Sequence, residues 1–493
     1  MRVLRIVSAV GVGLALAASP AAAQSDDEAA ADERTEAGHE PAEADAGEAE
    51  VPSGGETAEA EVEPPGGQAD AEGGASAHEP AAIGPGGSAG GLAAPTESAA
   101  EREAEIPADD ETSPADGEAP VSPPPPPPAE DDADDEVTFA PLAYVEAFGA
   151  WNFNDPSNGI TAYRGFDNRH ATFSIANVAF GGRLSFDRVY ARVVLQWGLT
   201  PSTYYAAEPF GALGGAVGPS LQTLWQVVQE GYFGWNIPLL ERGIRLEGGL
   251  FLSPVGIEGI AVKDNWNFSR SNLFFGLPFY HTGIRVTVPI DDAWSARVAV
   301  YNGWNSVLDN NQEKSVAASV SYADDVLETT LLYFGGVEDD PGVPGRSWRS
   351  LFDLTATVHA TDWLELQAQV DTGFQPTATD TYVWFTTAAY ARVRPVPWLD
   401  IALRGDFFWD GAPTGPLGMR QSPIFWPAEW VSSQTLTVAL RPVDHLLFMI
   451  EYRHDEAASE TYFEGAVTTG PDGLGVPNAV RQDTLTLGAT AYF

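Results

Sequence analysis

The sequence predicts an all-β fold: an antiparallel up-and-down transmembrane β-barrel of about 16 strands, preceded by a disordered acidic segment. Three observations carry this reading. From Leu142 onward, short stretches alternate apolar and polar residues with the period of two that a strand imposes. The links between these stretches alternate short and long. Several stretches set ionised groups on one face against a row of hydrocarbon on the other.

The first 136 residues are of different material. Met1–Ala23 has Arg2 and Arg5, an apolar run from Ile6 to Ala18, and Ala21-Ala22-Ala23 before Gln24. This is the pattern of a cleaved secretory signal peptide, and it is too short to span a membrane. Residues 24–136 follow, rich in Ala, Pro and Gly, with 33 Asp and Glu against Arg34 and Arg102. A segment so poor in large apolar residues cannot offset its ordering entropy, so it is expected to be disordered and periplasmic. It ends in the stiff run Pro123–Pro128 and the acidic cluster Asp131 to Glu136. The remainder, residues 137–493, is the barrel domain and retains a net charge of −16. There is no Cys among the 493 residues, which excludes disulfides and thiolate chemistry. No later run approaches the ~18 apolar residues of a membrane helix.

Sixteen strands are predicted, at 142–153, 173–186, 189–198, 222–236, 243–253, 281–289, 293–304, 314–323, 326–335, 348–359, 362–374, 381–393, 397–409, 430–441, 445–454 and 482–493. Most suit the ~9–11 residues that a tilted strand needs to cross a bilayer. Links such as Asp187-Arg188, Asp324-Asp325 and Ala360-Thr361 are short, whereas 154–172, 199–221, 254–280, 410–429 and 455–481 are long. Sorting of loops by parity is what an outer-membrane barrel shows, with short periplasmic turns and long outer loops.

The faces agree. Leu399, Ile401, Leu403, Phe407 and Trp409 oppose Asp400, Arg404 and Asp406. Leu364, Leu366, Val370 and Phe374 oppose Glu365 and Asp371. Ile244, Leu246, Leu250 and Leu252 oppose Arg245 and Glu247, and Leu446, Phe448, Ile450 and Tyr452 oppose Glu451 and Arg453. A row of ionised groups could not face an apolar core, so the charges face water inside and the hydrocarbon faces lipid. Trp294, Trp363 and Trp398 each follow a short turn, as an interfacial girdle requires. In the last strand Leu485, Leu487, Ala489, Ala491 and Phe493 share the outer face. The terminal Phe493 resembles the signal read by the barrel-assembly machinery.

Inward charges of both signs imply a wetted lumen. The pore-lining candidates are Arg192, Arg245, Glu247, Arg285, Arg297, Glu365, Asp371, Asp400, Arg404, Asp406, Glu451 and Arg453. They would set the field that an ion crosses, or else pair with one another and stabilise the wall. The acidic excess of the body leans toward cation preference. The loop 254–280 combines Glu258, Lys263, Asp264, Asn267 and Arg270 with large aromatics. It is therefore the candidate constriction, with an extracellular lid as its alternative.

The stretches NFNDPSNGITAYRGFDNRHATFSIANVAF (152–180), GLTPSTYYAAEP (198–209), NWNFSRSNLFFGLPFYHTGIRVTVP (265–289), YNGWNSVLDNNQEKS (301–315) and EYRHDEA (451–457) resemble the OmpL-like beta-barrel porin-2 family. They occur in that family's order, and the resemblance extends over essentially all of residues 142–493. The resemblance implies an outer-membrane porin-like protein and supplies no catalytic or binding residue.

The expected function is passive diffusion of small hydrophilic solutes or ions across the outer membrane, with outer-membrane lipid around the barrel. A homotrimer is one assembly open to it. The alternative is an anchor that presents the acidic tail in the periplasm. A barrel hydrolase is less favoured, because His170, His281, His359, His445 and His454 are scattered. Only a fold-back would bring His281 to Ser269 or Ser271. No cofactor is expected, no His pair has metal-ligand spacing, and the charge has the wrong sign for nucleic acid.

Overall fold

The computed structural model describes residues 137–205, 225–309, 311–338, 347–376, 380–413, 428–471 and 473–493, together with Ser422 and Ile424. The expected signal peptide and acidic segment lie outside these residues. The strands are β1 (Thr138–Asn152), β2 (Thr172–Phe186), β3 (Val189–Trp197), β4 (Val228–Ile237), β5 (Ile244–Leu252), β6 (Tyr280–Pro289), β7 (Trp294–Tyr301) and β8 (Ser315–Ala323). They continue as β9 (Leu327–Val337), β10 (Trp348–Thr361), β11 (Leu364–Pro376), β12 (Thr381–Val396), β13 (Leu399–Asp410), β14 (Trp430–Val443), β15 (Leu446–Ala457) and β16 (Arg481–Tyr492). Each pairs antiparallel with its sequence neighbours, and β1 closes the barrel on β16. The closing register runs from Tyr144 opposite Tyr492 to Asn152 opposite Thr484. Closure leaves no free edge, the condition for crossing a bilayer with strands.

Alternation becomes a two-sided wall. Ile284, Val298, Leu331 and Leu403 on the outside are each more than half exposed, while their inward neighbours Arg285, Leu332 and Arg404 are buried. The described residues contain no helix long and apolar enough to cross a membrane. The short turns are built by side chains that cap their own backbones. Asp291 accepts from the amides of Ala293 (2.9 Å) and Trp294 (2.7 Å), and Asp324 accepts from Val326 and Leu327 (both 2.8 Å). Trp363 and Trp398 then stand about half exposed at this end, with Trp294 slightly less so.

The structure alters details of the sequence reading, several strand bounds by a few residues and two points more. Strand β4 begins at Val228, so Trp225–Val227 are outside it and residues 222–224 are not among those described. Leu250 was expected to face lipid with Ile244 and Leu246, yet it is buried in the main apolar cluster, with Leu252 packed against it. That cluster takes in Trp225 and Val228 as well, so the end of β5 near the long loops is covered by protein. Elsewhere the cluster lies inside the barrel, where inward Tyr232, Phe251, Tyr301, Phe334, Trp384 and Phe408 meet aromatics of the long loops.

A loop folded into a charged barrel interior: the candidate functional site

The link from β5 to β6 folds inward. Two short 3₁₀ turns, Val262–Asp264 and Leu273–Gly276, shape it. Its contacts run round much of the wall. The Gly256 amide donates to Asp353 Oδ2 on β10 (3.1 Å) and the Ile257 amide to Gln369 Oε1 on β11 (3.0 Å). The Val262 amide donates to Glu146 Oε1 on β1 (2.5 Å), and Asn267 Nδ2 to Thr437 Oγ1 on β14 (2.7 Å). The amides of Phe268 and Ser269 both donate to Glu451 on β15 (2.7 and 3.0 Å). Asn272 Nδ2 donates to Asp406 Oδ1 on β13 (2.8 Å). Backbone amides outside the sheet need acceptors once buried, and here wall carboxylates and the Gln369 side chain supply them. On β16 the missing side chain of Gly488 makes room for the Phe268 ring, which a Cβ there would overlap.

The loop holds its own shape through Arg270. Its guanidinium donates to the carbonyls of Gly259 (3.0 Å), Phe268 (2.6 Å) and Ile260. Glu258 accepts from the Ser271 amide (2.8 Å) and hydroxyl (2.6 Å) and pairs with Arg404 Nη1 (2.8 Å). Lys263 pairs with its neighbour Asp264 (2.7 Å). All five sequence-predicted loop residues therefore lie within the barrel.

The wall candidates divide into two groups. Asp371, Arg404, Asp406, Glu451 and Arg453 are buried under the loop, and Asp400 is buried nearer the short turns. Arg453 donates to Asp455 Oδ1 (2.7 Å) and to Asn272 Oδ1 (3.1 Å). Asp455 continues the chain of ions to Arg164 (2.9 Å), which also pairs with Asp167 (2.9 Å) in the β1–β2 loop. Asp371 accepts from Gln369 Nε2 (2.9 Å) and the Thr386 hydroxyl (2.7 Å). Pairing and hydrogen bonding offset part of the desolvation cost that a lone buried ion would carry. Toward the short-turn end, Glu365 accepts from Arg392 Nε (2.7 Å) and meets His359 (2.9 Å), and Asp400 pairs with Arg394 (2.7 Å) and Arg441. Arg192 pairs with Glu230 (2.9 Å), Arg285 with Glu247 (2.6 Å), and Arg297 donates to Thr287 (3.1 Å). Arg245, Arg192, Arg297, Glu365 and Arg392 remain partly exposed.

Sequence reasoning missed the acceptors Glu146 and Asp353, the Arg164–Asp167 pair, and Arg183 on β2, and left Gln369 out of the pore-lining candidates. Glu146, Asp353, Gln369 and Arg183 stand at inward strand positions that alternation can flag, whereas Arg164 and Asp167 lie in the β1–β2 loop, where alternation gives no signal. Beyond β9, Glu338 accepts from the Trp304 amide (2.8 Å) and the Ser315 hydroxyl (2.5 Å). Burial pushes its carboxyl above the ordinary range, against the pull of Arg349.

His281 does not reach Ser269 or Ser271. Its Nδ1 meets the Gly303 carbonyl (3.0 Å), its Nε2 meets Ser253 Oγ (3.1 Å), and its ring stacks on Tyr301 and Phe334. It is fully buried, so the fold-back proposed for a hydrolase is not the one formed. His454 turns to Asp483 (2.8 Å), away from Asp455. Among the described residues no group of His, Asp or Glu has the arrangement of a metal site.

No curated protein matches this sequence. Among solved structures, the chain is similar to OmpT, an outer membrane protein of Vibrio cholerae, in its trimer form, at 9% identity and a TM-score of 0.47. That match covers 73% of this chain and 100% of that one. It is similar to the outer membrane channel DcaP of Acinetobacter baumannii at 10% identity and a TM-score of 0.46, covering 72% and 97%. A third similarity is to an anion-selective porin from Comamonas acidovorans, at 11% identity and a TM-score of 0.45, covering 73% and 100%. The family comparison is of another order, since it spans the whole barrel: matched over residues 139–493, the chain belongs to the beta-barrel porin-2, OmpL-like family.

Proposed function

We propose that this porin-family barrel of the bacterial outer membrane passes small hydrophilic solutes or ions by passive diffusion, through a passage narrowed by loop 254–280. The observation that supports it is the inversion of the wall: ionised groups line the inside, and the loop that folds among them is pinned by wall carboxylates. A loop held at so many points can constrict a passage without closing and opening on each transit. Glu258, Lys263, Asp264, Asn267 and Arg270 are then the groups that narrow the route. The twelve wall charges named above set the field along it. Residues 1–23 are removed on export and residues 24–136 face the periplasm; the mass of the mature protein tests the cleavage.

The deciding experiment is single-channel conductance of the purified full-length protein in a planar bilayer. Stable ohmic steps, small for a 16-stranded barrel because the loop fills much of its interior, are the expected outcome. A correctly inserted barrel that carries no current would sink the diffusion reading and favour an anchor for the acidic segment.

A further inference from the structure

We propose that the inner wall over β2–β7 carries a binding patch for small oxyanions, that is, solutes bearing carboxylate or phosphate groups, centred on Arg183 and Arg245. The proposal rests on the channel reading and names the class of solute the passage favours. Strands β2–β7 contain five Arg and two Glu, so this stretch of wall is basic although the barrel domain as a whole is acidic. Arg183 stands directly across from Arg192 in the β2–β3 register. Like charges in that position repel, and such a pair persists where something compensates it. Arg192 has Glu230 at 2.9 Å. The Arg183 guanidinium lies over the Tyr190 ring at 3.7 Å, and the Tyr190 hydroxyl donates to Glu247 at 2.6 Å.

Glu247 also takes Arg285 at 2.6 Å and feels Arg245. One carboxylate therefore serves two guanidinium groups and a phenol. The Nε–H of Arg183 and the Nε–H of Arg245 are both shielded from solvent and meet no acceptor among the described residues. Arg245 and Arg297 flank Thr287 from the two sides, which extends the basic strip onto β7. Arg183, Arg192, Arg245 and Arg297 are partly exposed, within reach of a solute in the lumen, whereas Arg285, Glu247 and Thr287 are buried. A planar guanidinium that is partly exposed is shaped to take an oxyanion in a two-point contact. Four of the acidic residues in the net charge, Asp187, Asp291, Asp324 and Asp325, stand at the short turns. Those face bulk water, where salt screens them within ~8–10 Å, whereas charges on the inner wall act in a confined space that focuses their field. An anion preference of this patch runs against the cation lean read from composition.

The test uses the full-length protein in two arms. Reversal potential across a potassium chloride gradient reads selectivity, and calorimetric titration with citrate or inorganic phosphate in detergent reads binding without needing current. The wild type should reverse on the anion side and bind citrate. The variant Arg183→Gln/Arg245→Gln should lower the anion-to-cation permeability ratio about threefold and weaken citrate about tenfold. Arg183→Lys/Arg245→Lys should keep the selectivity yet lose citrate affinity, because an ammonium lacks the fork. A wild-type reversal on the cation side, or selectivity and binding unmoved by the Gln pair, overturns the patch. If the Gln pair misfolds, the wild-type reversal potential and the Lys pair still decide. A silent barrel whose citrate binding falls in the Gln variant keeps the patch and rejects the channel reading. A silent barrel that binds no citrate rejects both.

Discussion

Arg404 shows how one side chain ties the loop to the wall. It is buried, with its guanidinium on Glu258 (2.8 Å), the Ser269 carbonyl (2.5 Å) and Thr435 Oγ1 (3.0 Å), and its Nε 3.4 Å from Asp406. Replacing it with Ala would leave two buried carboxylates short of a cation, a loss of about 3–5 kcal/mol for a broken buried pair. Arg404→Ala should therefore unfold at lower temperature in unboiled gel electrophoresis. In bilayers it should give larger and noisier current steps as the loop loosens. Arg404→Lys, which keeps the charge but not the fork, should fall between the two. Wild-type conductance from Arg404→Ala would mean that the loop does not narrow the passage. His281 teaches the complementary lesson. Its burial between aromatic rings came from contacts 20 and 53 residues along the chain, at Tyr301 and Phe334, which no local spacing announces.

At the scale of elements, the strands were legible because their signal is local. Period-2 alternation puts Leu403 outside and Arg404 inside whatever the partner strand is, so strand existence, loop parity and wall polarity could all be read directly. The inward fold of loop 254–280 was suggested by its mixture of aromatic and polar residues. Its anchors were not, since Val262 meets Glu146 across 116 residues and Phe268 meets Glu451 across 183. Charge totals do not describe the passage for a related reason: they add exposed turn acids to wall groups that act in different dielectric surroundings.

The turns themselves give a sharp prediction. Asp291 at the β6–β7 turn is held below the ordinary carboxylate range by the amides of Ala293 and Trp294, with Arg242 contributing less. A depressed folded value means that the stabilisation is present above the unfolded pKa and fades as pH falls through the folded one. The Trp294 amide resonance should thus titrate with a midpoint below that of a free aspartate, and Asp291→Asn should abolish the titration. A midpoint at or above the free value would show that the cap does not hold in solution.

For the whole molecule, the barrel is a folded protein turned inside out, and that inversion makes neighbouring positions respond oppositely to the same change. Leu354 on β10 faces outward and is nearly half exposed, whereas Thr357 on the same strand faces the lumen opposite Glu328 and Gln367. An arginine placed at Leu354 must enter hydrocarbon, at a cost of about 2–4 kcal/mol near the bilayer midplane. An arginine at Thr357 enters the wetted interior beside Glu328 and should cost little. Equilibrium unfolding in urea from lipid vesicles, compared for Leu354→Arg, Thr357→Arg and the wild type, would separate the two. The expected order is a large loss for the first and a small one for the second, with a change in reversal potential only for the second. Equal losses at both positions would mean that the two faces do not see different solvents, and the membrane-spanning reading would fall with them.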